Sequence, residues 1–207
     1  MLNDKTVSEF TNLLGSDAPA PGGGSAAALM GALGVSLTGM VAALTVGKSK
    51  YAAYHTQMEQ IKREADGLRG ELLTLMEEDT AVFNQVAAAY ALPRDNEQEK
   101  LARTDAIQAA LRCCTETPYQ MMCVSMQALR LTERALEGYN TNAASDLGVA
   151  ALGLGAAIRS AWLNILINLG SIADAGFSAR YRAEGEALLA DALPLSERIY
   201  QVIMESL

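Results

Sequence analysis

Apolar residues recur at intervals of three to four along most of this chain, the spacing that gathers side chains on one face of an α-helix. The first such segment, Thr6–Leu14, is short and ends at a glycine-rich stretch. A much longer one, Lys50–Ala91, alternates charged and apolar residues. The pattern predicts one short and one long amphipathic helix, and the long helix is expected to loosen locally at Gly67 or Gly70.

The second half of the chain continues this amphipathic pattern. Leu101–Cys114 is predicted to form a helix. Thr117–Leu136 is predicted to form another, because a threonine and a proline at its start are typical of an N-cap and a first turn. The last amphipathic segment begins at Ser178, with a bend or restart expected near Pro194.

Two stretches differ because they carry almost no charge. Residues 18–47 contain none, and Asn142–Asp174 contains only three charged residues. Both are rich in Gly and Ala, and glycines inside a helix are tolerable where neighbouring backbones approach closely. With Ser25 as its N-cap, the first stretch is predicted to be helical to about Val46. We expect both helices to be buried nearly all round.

Composition supports an all-α fold. Half of the residues are hydrophobic while aromatic residues make up only 5 %, and small or unbranched side chains suit packed helices better than pleated strands. No repeat or linker divides the pattern. The sequence therefore predicts a single domain over residues 1–207, a bundle of six or seven helices around the two Gly/Ala-rich ones.

A membrane span is the alternative for the first uncharged stretch. About 20 apolar residues suffice to cross a bilayer, and the segment is long enough. It is dominated by Ala, Gly, Ser and Thr, however, and these residues give little drive to enter lipid. We expect no membrane association.

Charge and residue counts exclude several function classes. A net charge of −8 argues against nucleic-acid binding, which needs a basic face. One histidine, His55, and three cysteines without C-x-x-C spacing make a zinc site improbable, and no metal is expected. His55 lies in a polar region and is expected to be exposed. The odd cysteine count and the absence of a signal-peptide pattern favour reduced thiols in the cytoplasm.

Two glycine motifs flank the first uncharged stretch. The segment Pro21–Ser25 reads PGGGS and opens a helix, where free backbone N–H groups attract anionic groups and glycines let a ligand approach. The second motif, Gly47 followed by Lys48, is similar to a phosphate loop. That loop requires glycine where this chain has Ala42, and a strand before it, so we reject it.

Several polar residues are candidates for chemistry, each with a structural alternative. Lys48 shares a helical face with Tyr51, or merely offsets a helix dipole. Asp79 lies four residues before Phe83, and an acid beside an aromatic ring suits a flat cationic group. Adjacent charges such as Glu78 are usually a solvated face.

The second uncharged stretch carries its own candidates. Asn142 and Asp146 fit an N-cap and a first-turn acid. Asn164 and Asn168 lie four apart on an apolar helix, and each amide costs about 1–3 kcal/mol if it finds no partner. They either brace neighbouring helices or line a polar pocket.

These motifs together resemble the formiminotransferase-cyclodeaminase C-terminal family, which includes formimidoyltetrahydrofolate cyclodeaminases and stand-alone methenyltetrahydrofolate cyclohydrolases. The resemblance extends over almost the whole chain, in the family's order. The segments that carry it are SDAPAPGGGSAAALMGALGVSLTGMV, LTVGKSKY, EEDTAVFNQVAAAYALP, TETP and NAASDLGVAALGLGAAIRSAWLNILINL.

The resemblance implies an all-helical homodimer that acts on a tetrahydrofolate carrying one carbon between N5 and N10. Cyclohydrolases open the methenyl bridge with water, and cyclodeaminases close it with loss of ammonia. A domain without an attached transferase favours the cyclohydrolase. No cofactor is implied, because the folate is the substrate. A helical dimer that has lost activity remains an alternative, as does a membrane-associated protein.

The resemblance also suggests roles for the candidate residues. For the catalytic carboxylate, Asp146 is the first choice and Asp79 the second, with Lys48 at the folate or on a proton path. The expected substrate-binding residues are Gly22, Gly23, Gly24, Ser25, Tyr51, Phe83, Asn142, Asn164 and Asn168. A helix of about 22 residues is about 33 Å long, so PGGGS and Lys48 cannot reach one small pocket within one subunit. If both ends function, the site is extended or is completed by a second subunit.

Overall fold

The computed structural model describes residues 1–207, and it contains helices but no strand. The six α-helices are α1 (Val7–Leu14), α2 (Gly23–Thr45), α3 (His55–Tyr90), α4 (Glu97–Ala135), α5 (Ala144–Leu169) and α6 (Ala175–Ser206). Short 3₁₀ turns lie at Leu2–Asp4, Ser49–Tyr54 and Thr141–Ala143. The all-α prediction and the predicted number of helices are therefore confirmed.

The Gly/Ala-rich helices α2 and α5 pack directly against each other at the centre. A β-carbon on Gly34 of α2 would lie 2.8 Å from Cγ of Leu154 and 3.0 Å from the carbonyl oxygen of Ala150, both on α5. Only glycine permits so close an approach at this position. The glycine content of α2 thus serves helix packing, as its sequence predicts.

The two central helices run antiparallel. Gly23, at the start of α2, lies beside Asn164, near the end of α5. At the opposite end, Nδ2 of Asn140 donates to the carbonyl oxygen of Leu44, just before α5 begins. Each end of the pair therefore combines the start of one helix with the end of the other.

Burial of α2 and α5 is incomplete. Large apolar side chains face solvent on both helices, and Ile167 and Leu163 are 75 % and 66 % exposed. The others are Leu33, Met40, Leu44, Val149 and Leu152. The prediction that both helices are buried nearly all round is wrong on this face, because a charge-free sequence does not distinguish a core from an exposed apolar surface. We call these seven residues the apolar face.

By length and composition, α2 and the segment Thr141–Leu169 are each apolar enough to cross a membrane. The most apolar window of α2 is 56 % buried inside the fold and that of the second segment is 44 % buried. The core helices of soluble proteins meet the same criteria, so this property alone carries little weight.

Helix α4 passes unbroken through Pro118, so the predicted division into two helices is wrong. A proline inside a helix leaves the carbonyl oxygen four residues earlier without its backbone donor. That oxygen belongs to Cys114, and Nδ2 of Asn168 donates to it at 2.6 Å from α5. A side chain distant in sequence thus replaces the missing hydrogen bond.

Other helix boundaries also differ from prediction. Gly22 is the N-cap of α2, and Ser25, predicted to be the cap, is the third helical residue. Helix α3 is continuous past its glycines. Helix α6 begins after Asp174, whose Oδ1 accepts the backbone N–H of Phe177, and continues through Pro194 without a restart.

Candidate active site

The start of α2 and the end of α5 meet the second half of α3 and the middle of α4 around a cleft of about 270 Å³. Seven of the residues singled out in the sequence line it, namely Gly22, Gly23, Gly24, Asp79, Phe83, Asn164 and Asn168. Sequence reasoning missed the remaining lining residues, which are Pro19, Ala20, Cys114 and Ile167. The cleft combines one carboxylate and two amides with apolar walls.

Asp79 is fixed in the cleft by α2. Oγ of Ser25, which is fully buried, donates to Oδ2 of Asp79 at 2.8 Å. A β-carbon on Gly24 would lie 2.0 Å from Oδ1 of the same carboxylate. The carboxylate therefore occupies the space that any side chain at position 24 would need, and glycine at this position is what admits it.

The surroundings of Asp79 oppose its ionisation. Burial raises the pKa of this carboxyl above its usual value, and the Ser25 hydroxyl and backbone N–H lower it in part. The start of α2 is the positive end of its dipole, which also favours the negative charge. The carboxyl group thus holds its proton more tightly than one in water, which favours a role in proton transfer.

The first turn of α2 has free donors. No side chain caps this helix, and the backbone N–H groups of Gly23 and Gly24 have no hydrogen-bond acceptor in the protein. Both residues line the cleft. These N–H groups can donate to a carbonyl oxygen or an anionic group of a ligand.

The two amides of α5 present acceptors. Nδ2 of Asn168 donates to the carbonyl oxygens of Cys114 and Asn164, and Nδ2 of Asn164 donates to that of Ser160. Because carbonyl oxygens only accept, these bonds fix which amide atom is nitrogen. Oδ1 of each asparagine has no protein donor and remains free for a ligand. The amides therefore both brace the helices and line the pocket, the two alternatives considered in the sequence.

Cys114 is in the cleft but is poorly suited to act as a nucleophile. Burial and the charge of Asp79 raise the pKa of its thiol to about 11. A thiol with such a pKa is protonated at neutral pH, and the thiolate is the reactive form. The sequence signal for Cys114 is only its position four residues before Pro118.

The other predicted site residues lie at the opposite end of α2 and α5. The hydroxyl group of Tyr51 lies 3.1 Å from Oγ1 of Thr141 and accepts the backbone N–H of Thr141 at 3.1 Å. The His55 ring is half-buried and bonds to the carbonyl oxygen of Lys48. Helix α2 has 23 residues and is about 35 Å long, so this end does not reach the cleft of the same subunit.

Asn142 and Asp146 belong to this second group. Asn142 lies in the 3₁₀ turn before α5, where its N–H donates to Oδ1 of Asn140, and Ala143 is the N-cap of α5 instead. Asp146 is in the first turn of α5, and Asn164 is 18 residues further along, about 27 Å in a helix. The predicted residues therefore form two separate groups.

The structure holds no group of three or more His, Cys, Asp or Glu side chains arranged to bind a metal ion. The polar chemistry of the cleft comes from one carboxyl group, two amides and backbone N–H groups.

Comparison with known proteins finds a family that the chain matches. The sequence profile described as formiminotransferase-cyclodeaminase matches residues 6–187. The chain belongs to this family. The profile includes both groups of predicted residues, so the resemblance stated from the sequence motifs is confirmed.

Relatives in the family differ in architecture. The chain is 39 % identical over 203 residues to a methenyltetrahydrofolate cyclohydrolase of Methylorubrum extorquens, covering 98 % of each chain. It is 30 % identical over 191 residues to the formimidoyltransferase-cyclodeaminase of Rattus norvegicus, of whose length it spans 35 %. This chain is therefore similar to the whole of the first relative and to about a third of the second.

A solved structure in the family has the same fold. The crystal structure of a formiminotetrahydrofolate cyclodeaminase from Thermotoga maritima superposes with a TM-score of 0.82 and 28 % sequence identity. The match covers 100 % of this chain and 98 % of that one. The arrangement of helices around the cleft is thus an arrangement that the family uses.

Proposed function

We propose that this protein is a methenyltetrahydrofolate cyclohydrolase, which opens the N5,N10-methenyl bridge of tetrahydrofolate with water to give 10-formyltetrahydrofolate. The observation that carries the proposal is Asp79, a carboxyl group held in a partly apolar cleft where the family's glycine motif begins α2. The full-length similarity to a cyclohydrolase supports the direction of the reaction.

The chemistry needs one group that accepts and then returns a proton. The methenyl carbon lies between two nitrogens and shares a positive charge with them, so water adds to it and forms a tetrahedral carbon. Asp79 takes one proton from the water as the C–O bond forms. It then gives that proton to N5 as the C–N5 bond breaks, and the second water proton leaves to solvent as the formyl C=O forms.

Asp79 replaces Asp146 as our first choice for this role. Asp79 lines the cleft, while Asp146 lies about 27 Å along α5 from the cleft residue Asn164. An ionised Asp79 also stabilises the cationic bridge, because opposite charges attract strongly where water is excluded.

The remaining cleft groups suit a reduced pterin. Its amino and ring N–H groups can donate hydrogen bonds to the free Oδ1 atoms of Asn164 and Asn168. Its carbonyl oxygen can accept a hydrogen bond from the backbone N–H of Gly23 or Gly24. Phe83 and Ile167 provide apolar surface for a flat ring. Serving as acceptors is the substrate-binding role that we propose for the two asparagines.

Cyclodeaminase activity is the second candidate, favoured by the structural match to a cyclodeaminase over the full chain. That reaction closes the N5-formimino group onto N10 and passes through a similar tetrahedral carbon, with ammonia as the leaving group. An optical assay separates the two activities. Methenyltetrahydrofolate is supplied and the loss of its absorbance followed; the formimino compound is then supplied, and its conversion is followed with ammonia release.

The role of Asp79 is tested by Asp79→Asn. We expect the turnover of methenyltetrahydrofolate to fall by about 10²–10⁴-fold, the usual contribution of a general acid–base group. Glu78→Gln, at the exposed neighbouring acid, is the matched control and should retain activity. A normal rate in Asp79→Asn would remove this residue from the mechanism.

We further propose that the protein is a homodimer joined through the apolar face of α2 and α5. Several large apolar side chains exposed on two packed helices are typical of an interaction site. Leu163→Glu should convert the dimer to a monomer in sedimentation or light-scattering measurements. Leu101→Glu, which alters a similarly exposed leucine on α4, should not. A monomeric parent protein would contradict the proposal.

Such a dimer gives the second group of residues a role. When the two-fold axis is perpendicular to α2 and α5, the Lys48 end of one copy faces the cleft of the other. Lys48, Tyr51, Asn142 and Asp146 would then complete the partner's site. Mixing two inactive variants that alter opposite ends, Asp79→Asn and Lys48→Met, should restore up to about a quarter of the sites, since half of the dimers are mixed and each has one intact site.

A control for this mixing experiment pairs two variants at the same end. Asp79→Asn and Gly24→Ala both alter the cleft, so every site in a mixed dimer carries one defect and activity should not return. Recovery in this control would mean that subunit exchange alone restores activity, and the shared site would be rejected.

We also propose a cytoplasmic protein with a folate as its substrate, without a separate cofactor, nucleic-acid partner or membrane attachment. The three cysteines are free thiols, which suits a reducing compartment. The net charge of −8 disfavours binding to nucleic acid. Cell fractionation with an antibody against the protein tests the location.

A further inference from the structure

The buried hydroxyl group of Ser25 has only one proton to give. Its contacts are Oδ2 of Asp79 at 2.8 Å and Oγ1 of Thr80 at 3.3 Å. An ionised carboxylate oxygen can only accept, so the Ser25 proton points to Asp79, and the Ser25 oxygen accepts from Thr80. Oδ1 of Asp79 accepts no side-chain hydrogen bond, so it is the oxygen that we assign to water or substrate.

From this arrangement we infer that Ser25 is a positioning residue for the proposed reaction: it holds Oδ2 of Asp79, favours the ionised form of the carboxyl and leaves Oδ1 to accept the proton of the attacking water. The inference rests on the proposed function. It assigns Ser25 a role different from the two predicted from the sequence, a helix N-cap and a donor to the ligand.

The position of Ser25 supports this role over ordinary packing. The residue lies in the first turn of α2 and is 0 % exposed, so it has no ligand-facing surface. Other hydroxyl groups on the same helix bond elsewhere, as Ser36 does with the carbonyl oxygen of Ala32 at 2.6 Å. Ser25 instead donates its hydrogen bond to Asp79, a residue 54 positions away in the sequence.

Few other ionisable groups face Asp79. Helix α2 has no charged side chain, and α5 contributes the amides of Asn164 and Asn168. From α4, only the Cys114 thiol faces it, and burial keeps that thiol protonated. On α3, Glu78 is the adjacent acid and is exposed. The protonation of Asp79 is therefore controlled mainly by its burial and by Ser25.

The test compares Ser25→Ala with the parent enzyme by two measurements. The first is the midpoint of Asp79 in a ¹³C-carboxyl NMR titration, assigned with Asp79→Asn. The second is the acidic limb of the pH dependence of kcat/KM for methenyltetrahydrofolate. A lost hydrogen bond to a charged group should move both upward by about one pH unit.

Two further variants make the comparison specific. Ser36→Ala removes a hydroxyl group from the same helix and should shift neither measurement. Ser25→Cys keeps the shape of the side chain but has a weak donor, so its midpoints should fall between those of the parent and Ser25→Ala. Thermal unfolding confirms that each variant is folded.

The outcomes separate this inference from the proposed function. Upward shifts of both the NMR midpoint and the acidic limb in Ser25→Ala support the positioning role of Ser25. An unchanged NMR midpoint in Ser25→Ala overturns the inference about Ser25 and leaves the proposed activity standing. A shifted NMR midpoint with an unshifted rate profile rejects Asp79 as the acid–base group, and with it the positioning role. An enzyme inactive on both folates rejects the proposed function itself.

Discussion

A β-carbon on Gly24 would lie 2.0 Å from Oδ1 of Asp79. The neighbouring glycines differ: a β-carbon on Gly23 would meet Oδ1 of Asn164 at an ordinary 3.5 Å, and one on Gly22 would meet nothing within 4 Å. The three consecutive glycines are therefore unequal, and only one of them makes room for the proposed catalytic group.

Gly24→Ala should strongly reduce activity and leave the fold intact. The added methyl group displaces the Asp79 carboxylate, and misplacing a catalytic group by about 1 Å can cost about 10²-fold in rate. Gly70→Ala, at an exposed position of α3 that has open space around it and lies outside the cleft, is the control and should remain active. Measurements of kcat/KM on both variants decide the point. Equal activities would show that Asp79 does not need its present position.

Asp79→Asn should stabilise the protein at neutral pH although it inactivates it. Burial raises the pKa of this carboxyl in the folded chain, so its contribution to stability is present below its unfolded pKa and is lost as the pH rises through the folded value. At pH 8, where the same carboxyl is ionised in the unfolded chain, burying it is therefore a net cost to folding. The amide avoids this cost and still accepts the Ser25 hydrogen bond.

We expect the Tm of Asp79→Asn to exceed that of the parent by about 2–4 °C at pH 8, which corresponds to about 1 kcal/mol in a chain of this size. The difference should narrow as the pH is lowered toward the unfolded pKa of aspartate. Glu78→Gln, with its exposed side chain, should show no comparable gain. A lower Tm for Asp79→Asn at pH 8 would mean that the hydrogen bonds of the carboxylate outweigh its burial.

The sequence predicted the helical architecture because apolar periodicity is a local property of the chain. It failed at Pro118, where the local rule for a helix start was opposed by a distant residue: Asn168 donates to the carbonyl oxygen that the proline leaves unpaired. No local pattern contains that bond, since the two residues are 54 positions apart.

The site was predictable to a similar extent. Glycines, acids and amides are unusual in their segments, so sequence reasoning selected most of the polar cleft. Cys114 and Ile167 were missed because an apolar or thiol side chain on a helix usually indicates core packing. Our proposal that Asp79 rather than Asp146 is the catalytic carboxylate depends on which ends of the antiparallel helices meet, and this is a property of the fold alone.

The close contact of α2 with α5 predicts opposite effects for two glycine substitutions. Gly34→Ala should lower the free energy of unfolding by about 1–3 kcal/mol, because its methyl group would overlap Leu154 and the Ala150 carbonyl oxygen. Gly67→Ala should raise it by about 0.5–1 kcal/mol, because position 67 in α3 has open space and alanine is the better helix former.

Denaturant unfolding of both variants measures these changes. The comparison has a built-in control, since the two substitutions are chemically identical and both lie inside helices. If Gly34→Ala had the same free energy of unfolding as the parent, α2 and α5 could move apart enough to fit the methyl group without loss of stability. Their close packing would then not explain the glycine content of α2.

Tyr51 should ionise earlier than an ordinary tyrosine. The hydroxyl group and the backbone N–H of Thr141 lie against its phenol oxygen, with Lys50 nearby, and together they lower the pKa of Tyr51 from 10.0 to about 8. Donors and a cation favour the phenolate because they bond to its negative charge. By contrast, burial raises the pKa of Tyr119 and of Tyr181.

An ultraviolet titration of the seven tyrosines should therefore show an early step near pH 8. Tyr51→Phe should remove that step, and Thr141→Val, which lacks the hydroxyl donor, should move it toward 10.0. Tyr54→Phe, three residues along the chain, should leave it in place. If the early step survives in Tyr51→Phe, another tyrosine is its source, and the contact between Tyr51 and Thr141 has no influence on this ionisation.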